Sequence, residues 1–217
     1  MKQAACILSL VCFMQVLYGQ QTDTINIKDS NGLKQGYWIV FGESKPNSCY
    51  KPAQKVEEGY YKDNKKNGLW TEYFCNEKIK SKVEFKAGKP DGKAVMFHPN
   101  GMISETGTFV LNKWVGEYFL YFETGKPQQI FMFNESGKRE GLQKHYFQNG
   151  KMQIISTYID NKDYASLLFD TLGVLDKTIL NGKAIQKGDK LSEGDRALFQ
   201  SMQEEAVKEN KTLQRSR

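Results

Sequence analysis

The sequence predicts an all-β repeat: a single-layer, elongated antiparallel meander of about six β-hairpins, followed by a C-terminal α-helix. Three observations carry that expectation. Gly68, Gly92, Gly116 and Gly141 recur every 24 or 25 residues, and five residues after each stands an aromatic: Tyr73, Phe97, Tyr121 and Tyr146. Seventeen residues after each glycine stands another, Phe85, Phe109, Phe133 and Tyr158. Nine residues along, Gly101, Gly125 and Gly150 mark a turn between the two aromatic runs, with Glu77 in that slot of the first unit. A fixed period of this kind belongs to architectures whose units bury apolar surface only against their neighbours.

In chain order, residues 1–19 read as a targeting segment, with Lys2 as its charge and an apolar run over residues 4–17 ending near Gly19. That run is shorter than the roughly 20 residues a transmembrane helix needs, so cleavage and export are expected, leaving no transmembrane segment. The alternative is a retained anchor. Residues 20–182 form the repeats. The first unit opens at Gly36, has Phe41 five residues on and ends at Tyr61. Its spacing to Gly68 is 32 residues, and the excess falls in residues 43–54, rich in Pro, Ser and Asn, which read as an enlarged hairpin loop.

Each regular unit starts with a strand-like run, such as Glu117-Tyr118-Phe119-Leu120-Tyr121-Phe122. A turn follows at Asn100-Gly101, Thr124-Gly125 or Asn149-Gly150, where a two-residue hairpin needs positive φ at both positions. The second strand then ends at the late aromatic. That register sets the late aromatic across from its opening glycine, where the ring would cover bare backbone, and puts the fifth-position aromatic on the opposite face. A bulge would reverse the faces. After Tyr158 the pattern decays, with Ala165 where a glycine is due and Phe169 and Gly173 as remnants of a sixth unit. In residues 183–217, Ser192 and Asp195 form a capping box, and Leu198, Phe199, Met202 and Ala206 form an apolar stripe. A helix over about residues 193–210 is expected, docked on the last hairpin or protruding toward a partner, with residues 211–217 frayed.

The glycine, aromatic and Asn-Gly-Lys pattern resembles MORN repeats, in the bacterial variant form that reads roughly G-x-W-x-x-Y-x-x-N-G-K. Gly68-Leu69-Trp70-Thr71-Glu72-Tyr73 and Phe147-Gln148-Asn149-Gly150-Lys151 carry the likeness most clearly, within a span from Gly36 to Tyr158. Ala94 and Gln143 at the Trp70 position, Glu77 and the long first loop depart from it. The resemblance implies an elongated single-layer sheet with a non-catalytic role in protein or membrane contacts. Similar repeats also occur in antitoxins, but a targeting segment would keep this chain from a cytoplasmic toxin.

Cleavage at residue 19 would remove Cys6 and Cys12 and leave Cys49 in the enlarged loop and Cys75 in the next turn. Turns of adjacent hairpins point to one edge, so a disulfide is expected in an oxidising compartment; the alternative is two free thiols. Without Lys2 the chain carries 30 basic and 25 acidic residues, a net +5. Lys65, Lys89, Lys113 and Lys138 each lie three residues before an opening glycine, with Lys66 and Arg139 adjoining. They read either as a positive ladder along one edge, suited to an anionic lipid surface or acidic partner, or as solvated turn lysines. The aromatics, Trp38, Trp70 and Trp114 included, either pack along the sheet or offer a partner or sugar surface.

No catalytic constellation, cofactor motif or zinc-ligand spacing is present; His98 and His145 occupy different repeat positions, while Glu57, Glu84 and Glu105 recur near second strands at repeat spacing. Nucleic acid is not an expected partner for an exported chain lacking a recognition motif. The expected function is a non-enzymatic binding or scaffolding surface in the envelope. The partner is expected to be another protein, and nothing in the sequence sets an oligomeric state.

Overall fold

The computed structural model describes residues 24–215, so the expected targeting segment, with Lys2, Cys6 and Cys12, lies outside the described residues. Its strands are β1 (Ile27–Lys28), β2 (Lys34–Phe41), β3 (Lys55–Lys62), β4 (Lys65–Tyr73), β5 (Ile79–Lys86), β6 (Lys89–Phe97) and β7 (Ile103–Val110). They continue as β8 (Lys113–Tyr121), β9 (Pro127–Phe133), β10 (Gly141–Tyr146), β11 (Met152–Ile159), β12 (Lys162–Phe169), β13 (Leu175–Leu180) and β14 (Lys183–Ala184), before helix α1 (Glu193–Arg215). All fourteen form one antiparallel sheet in sequence order. The expected meander is the fold.

The expected register holds in every clear unit. Gly36 pairs with Tyr61, Gly68 with Phe85, Gly92 with Phe109, Gly116 with Phe133 and Gly141 with Tyr158. The stated reason for the glycines does not hold. A Cβ added at Gly68, Gly116 or Gly141 would meet nothing within 4 Å, so no ring covers them. All five opening glycines instead have positive φ, from +71° at Gly36 to +127° at Gly92. The cause is visible at β3–β4, where Tyr60 pairs with Asn67 but Glu58 already pairs with Thr71. Three residues, Gly68 among them, therefore run against Gly59 alone, a bulge that needs a left-handed backbone. Between β11 and β12 the register advances by one residue only, so Ala165 needs no such φ and is buried instead.

Rings do cover glycines, but at the second strands. A Cβ on Gly59 would lie 2.6 Å from the Trp70 indole, and one on Gly107 would lie 2.9–3.0 Å from Trp114 and Tyr118.

Turn chemistry also differs from the expectation. The two-residue turns with both φ positive lie between units, at Asp63-Asn64, Ala87-Gly88, Leu111-Asn112 and Asp160-Asn161, and after the last unit at Asn181-Gly182. Within units the loops are longer, residues 74–78, 98–102, 122–126 and 147–151, and in the last three only the glycine has positive φ. Asn100 Oδ1 accepts the Met102 N–H, while its amide donates to Glu123 O of the next unit. Asn76 repeats both bonds with Lys78 and Pro99. Lys78 and Lys151 Nζ reach carbonyls in the following loop at 2.7 and 2.6 Å. The Asn-Gly-Lys signature is thus a staple between consecutive units.

Because side chains alternate across a strand, the pairings define two faces. Trp38, Tyr61, Trp70, Phe85, Phe109, Trp114, Tyr118, Phe131 and Phe133 share the aromatic face. The opposite face is read along one transverse row that passes Ile39, Thr71, Val95, Phe119, Lys144 and Leu167. A register shift accompanies each fifth-position aromatic, but its extra residue lies in the returning strand, as Lys80 does between Ile79 and Ser81. The aromatic therefore keeps the opposite face: Tyr73 meets Glu58 there, and Tyr146 is buried beneath α1.

Helix α1 lies on that opposite face over β11 and β12. Phe199, Met202 and Ala206 pack with Tyr146, Met152, Ile155, Ala165 and Leu167, and Leu198 is partly buried. Asp195 N–H donates to Ser192 Oγ at 3.0 Å, the expected cap. The helix docks on a sheet face rather than protruding. It also continues to Arg215, past the expected fraying point at Lys211, because no glycine or proline follows Gly194 and basic residues suit a helix C-terminus.

Candidate binding surfaces

Rings stacked on rings make the aromatic face. Trp114 stacks on Phe109 with centroids 3.7 Å apart, Tyr61 meets Trp70 edge-on at 4.8 Å, and Tyr118 lies 6.0 Å from Phe131. Cations cover much of what remains: Lys66 Nζ stands 4.1 Å from the Trp70 ring, Arg139 4.2 Å from Phe131, and Lys34 4.6 Å from Trp38. Trp70 is consequently 1% exposed although among the described residues no second layer lies over it. The rings pack along the sheet.

Lys65, Lys89 and Lys113 each open a strand directly after a two-residue turn and are exposed. The turns stack: Gly88 N–H donates to Lys66 O and Asn112 N–H to Pro90 O, each at 2.8 Å. Lys62 pairs with Lys65 and Lys86 with Lys89, so like charges sit directly opposite. The four-membered ladder is not uniform. Lys138 ends a five-residue loop and is ion-paired with Asp160 at 2.5 Å, while Lys66 and Arg139 turn onto the aromatic face. An extra residue between Phe133 and Gly141 breaks the spacing there.

Among the described residues, the face opposite the rings is open beyond α1. A groove of 390 Å³ crosses β6–β8, lined by Val95, Thr106, Val115 and Phe119 among others. It continues the row in which α1 is seated. There Lys144, on β10, holds Glu205 and Glu209 at 2.6 Å each, and those two carboxylates outweigh burial to raise its pKa.

Cys49 and Cys75 are joined in a disulfide with Cα atoms 5.8 Å apart, inside the usual span. The enlarged loop is fastened further by Tyr50, whose hydroxyl donates to Tyr73 O at 2.7 Å, and by Gln54, whose amide donates to Phe74 O and Cys75 O. Beside it lies a hollow of 400 Å³ lined by Ala53, Gln54, Lys55, Tyr73 and Glu77. Behind it Glu58 accepts from the Tyr73 hydroxyl and from Lys55 at 2.7 Å. Burial raises the Glu58 carboxyl, but the bonds from Lys55, Tyr73 and Tyr37 outweigh it and hold the group below its ordinary value. Burial first, then Glu58, pushes Tyr73 and Tyr37 up to about 12. Sequence reasoning missed this hollow, although both of its signals, the long loop and Glu77 in a glycine slot, were visible.

Both histidines are engaged structurally. His98 Nε2 lies 2.9 Å from Tyr121 O, and His145 packs on Phe131, where burial and then Arg139 lower its pKa. The recurring carboxylates differ from the expectation. Glu57 and Glu105 share a repeat position, bonded at 2.6 Å to Lys66 and the Tyr118 hydroxyl respectively. Glu84 lies on the other face and accepts the Lys93 N–H at 3.0 Å. Among the described residues no group of three His, Cys, Asp or Glu is placed to hold a metal, and no helix is long and apolar enough to cross a membrane.

A family model described as a MORN repeat variant matches residues 66–87, 90–110, 114–138 and 139–160. These segments coincide with the units built on Gly68, Gly92, Gly116 and Gly141. No curated protein matches the chain. Among solved structures, part of the chain is similar to a point mutant of S. aureus TarM in complex with fondaparinux, α-GlcNAc-glycerol and UDP. That likeness has 13% identity and a TM-score of 0.30 over 45% of this chain and 19% of TarM, and carries no argument.

Proposed function

Because this chain is built of variant MORN repeats, modules that bind proteins or lipids, we propose that it is a non-catalytic, exported protein presenting a protein-binding or scaffolding surface in the cell envelope. The observation that carries this reading is the open groove on the helix-bearing face. A sheet face with Val95, Val115 and Phe119 along it is stabilised by a second layer, as α1 supplies two hairpins away. The Cys49–Cys75 bridge and the apolar segment of residues 4–17 support export, since disulfides persist in oxidising compartments. Export in turn argues against an antitoxin role. The test is a photo-crosslinker at Phe119 in cells, with one at buried Trp70 as control, together with fractionation and the mass of the mature chain. Envelope localisation, a chain starting near Gln20 and a protein adduct at Phe119 alone are expected; a cytoplasmic, uncleaved chain without an adduct refutes the reading.

A second reading is supported by the exposed lysines at the stacked turns: peripheral binding of anionic phospholipid. Cosedimentation with anionic but not neutral liposomes, salt-sensitive and lost when Lys65, Lys89 and Lys113 become Gln, is its signature. Lys138→Gln is expected to contribute little, since that ammonium is already paired. Absence of sedimentation leaves these lysines as solvated turn residues.

A further inference from the structure

The two-residue turns between units occupy equivalent positions, and one of them departs from the chemistry of its neighbours. Lys62-Asp63-Asn64-Lys65 and Lys86-Ala87-Gly88-Lys89 set a lysine on each side of the turn, whereas the third reads Val110-Leu111-Asn112-Lys113. Val110 and Leu111 are 43% and 68% exposed. Asp63, Ala87, Asp160 and Asn181 hold the Leu111 position in the other turns, so the fold does not require a large apolar residue there. Backbone bonds from Gly88 to Lys66 O and from Asn112 to Pro90 O lock the first three turns side by side. At about 10 Å per hairpin they make a front about 20 Å long. Its charge has one sign. Residues 62–65, 86–91 and 110–113 carry five lysines against Asp63 and Asp91, a net +3, and Asp63 is engaged by Gln35 at 2.7 Å. Those five, Lys62, Lys65, Lys86, Lys89 and Lys113, are exposed and have no ion pair among the described residues. Beyond the third turn the excess ends: residues 134–140 hold two bases and two acids, and residues 159–162 one of each.

From this arrangement we infer that the sheet docks edge-on against an anionic phospholipid bilayer, with Leu111 inserted below the headgroups and the lysines at the phosphates. The inference rests on the lipid reading above and adds to it the orientation of the sheet and the inserting residue. Anionic groups alone would satisfy the lysines and leave Leu111 in water. A bilayer accommodates both along one flat boundary, with phosphate at the surface and hydrocarbon beneath it. The docking edge is independent of the groove proposed for a protein partner, which lies on a face of the sheet.

The test is cosedimentation of the disulfide-bonded protein with vesicles of equimolar phosphatidylglycerol and phosphatidylcholine, and with vesicles of phosphatidylcholine alone. The parent is expected to bind the first and not the second. Leu111→Asn supplies a residue that tolerates positive φ, so it folds at least as well, yet it should bind about tenfold more weakly for want of a buried leucine side chain. Leu172→Asn changes a leucine 72% exposed in a loop on the opposite edge and should bind like the parent. Lys86→Gln and Lys89→Gln should each weaken binding about fivefold. If the parent binds neither vesicle, the lipid reading and this inference fall together. If binding depends on Lys86 and Lys89 while Leu111→Asn matches the parent, or if Leu172→Asn is as damaging as Leu111→Asn, this inference alone is overturned.

Discussion

Gly116 and Gly107 lie on neighbouring strands, yet the structure gives them unrelated reasons to be glycine. At Gly116 φ is +74° and an added Cβ meets nothing, so Gly116→Ala should cost only the left-handed penalty of about 1–2 kcal/mol. The smaller entropy of the unfolded alanine chain returns about 0.4–1 kcal/mol of that, for a net loss near 1 kcal/mol. Gly116→Asn should recover most of it, because asparagine tolerates this region. At Gly107 the added Cβ would lie 2.9–3.0 Å from Trp114 and Tyr118, so Gly107→Ala must push rings aside, at about 1–3 kcal/mol. Gly107→Asn, being larger, should be worse than alanine and should also alter the Trp114 emission. Urea midpoints of the four variants by circular dichroism, with hydrogen exchange to localise the loss, give the comparison. Equal behaviour of Ala and Asn at 116, or a rescue by Asn at 107, refutes the distinction between backbone and contact glycines.

Other expectations follow from the same geometry. Leu111 is 68% exposed with φ +50°, so Leu111→Asn should stabilise by about 1 kcal/mol, read as a raised urea midpoint. Replacing Cys49 and Cys75 together by Ser should cost about 3.5 kcal/mol for their separation of 26 residues, and reductant should lower the melting temperature of the parent alone. Tyr37 and Tyr73 have folded values near 12 against an ordinary 10.0, so their contribution is intact below pH 10 and lost as pH rises toward 12. Tyr73→Phe should flatten that alkaline loss, followed by phenolate absorbance and circular dichroism. Glu58 has the opposite sign: held below 4.5, it stabilises above that pH and its contribution fades as pH falls through the folded value. Lys144→Ala should cost about 1–3 kcal/mol and speed hydrogen exchange in α1 while leaving β2–β8 protected.

Legible in the residues were the strand count to within the short terminal strands, the pairing of each opening glycine with its late aromatic, the helix cap and its buried stripe, and the cysteine pair. These are local matters. A meander joins strands in chain order, so periodicity and turn residues already say which strand meets which. What the sequence by itself did not determine is why the repeated residues repeat. Whether a glycine serves φ or a ring depends on whether the bulge lies in its own strand or in the one beside it, and the Asn-Gly-Lys staple acts on a carbonyl 21 to 23 residues away. Tertiary structure alone decided which face α1 covers, that Lys66 and Arg139 leave the lysine edge for the rings, and that Glu77 and the enlarged loop meet at one hollow. The physical reason is that a period of two sends successive side chains to opposite faces, so a single bulged residue redirects them without altering the repeat.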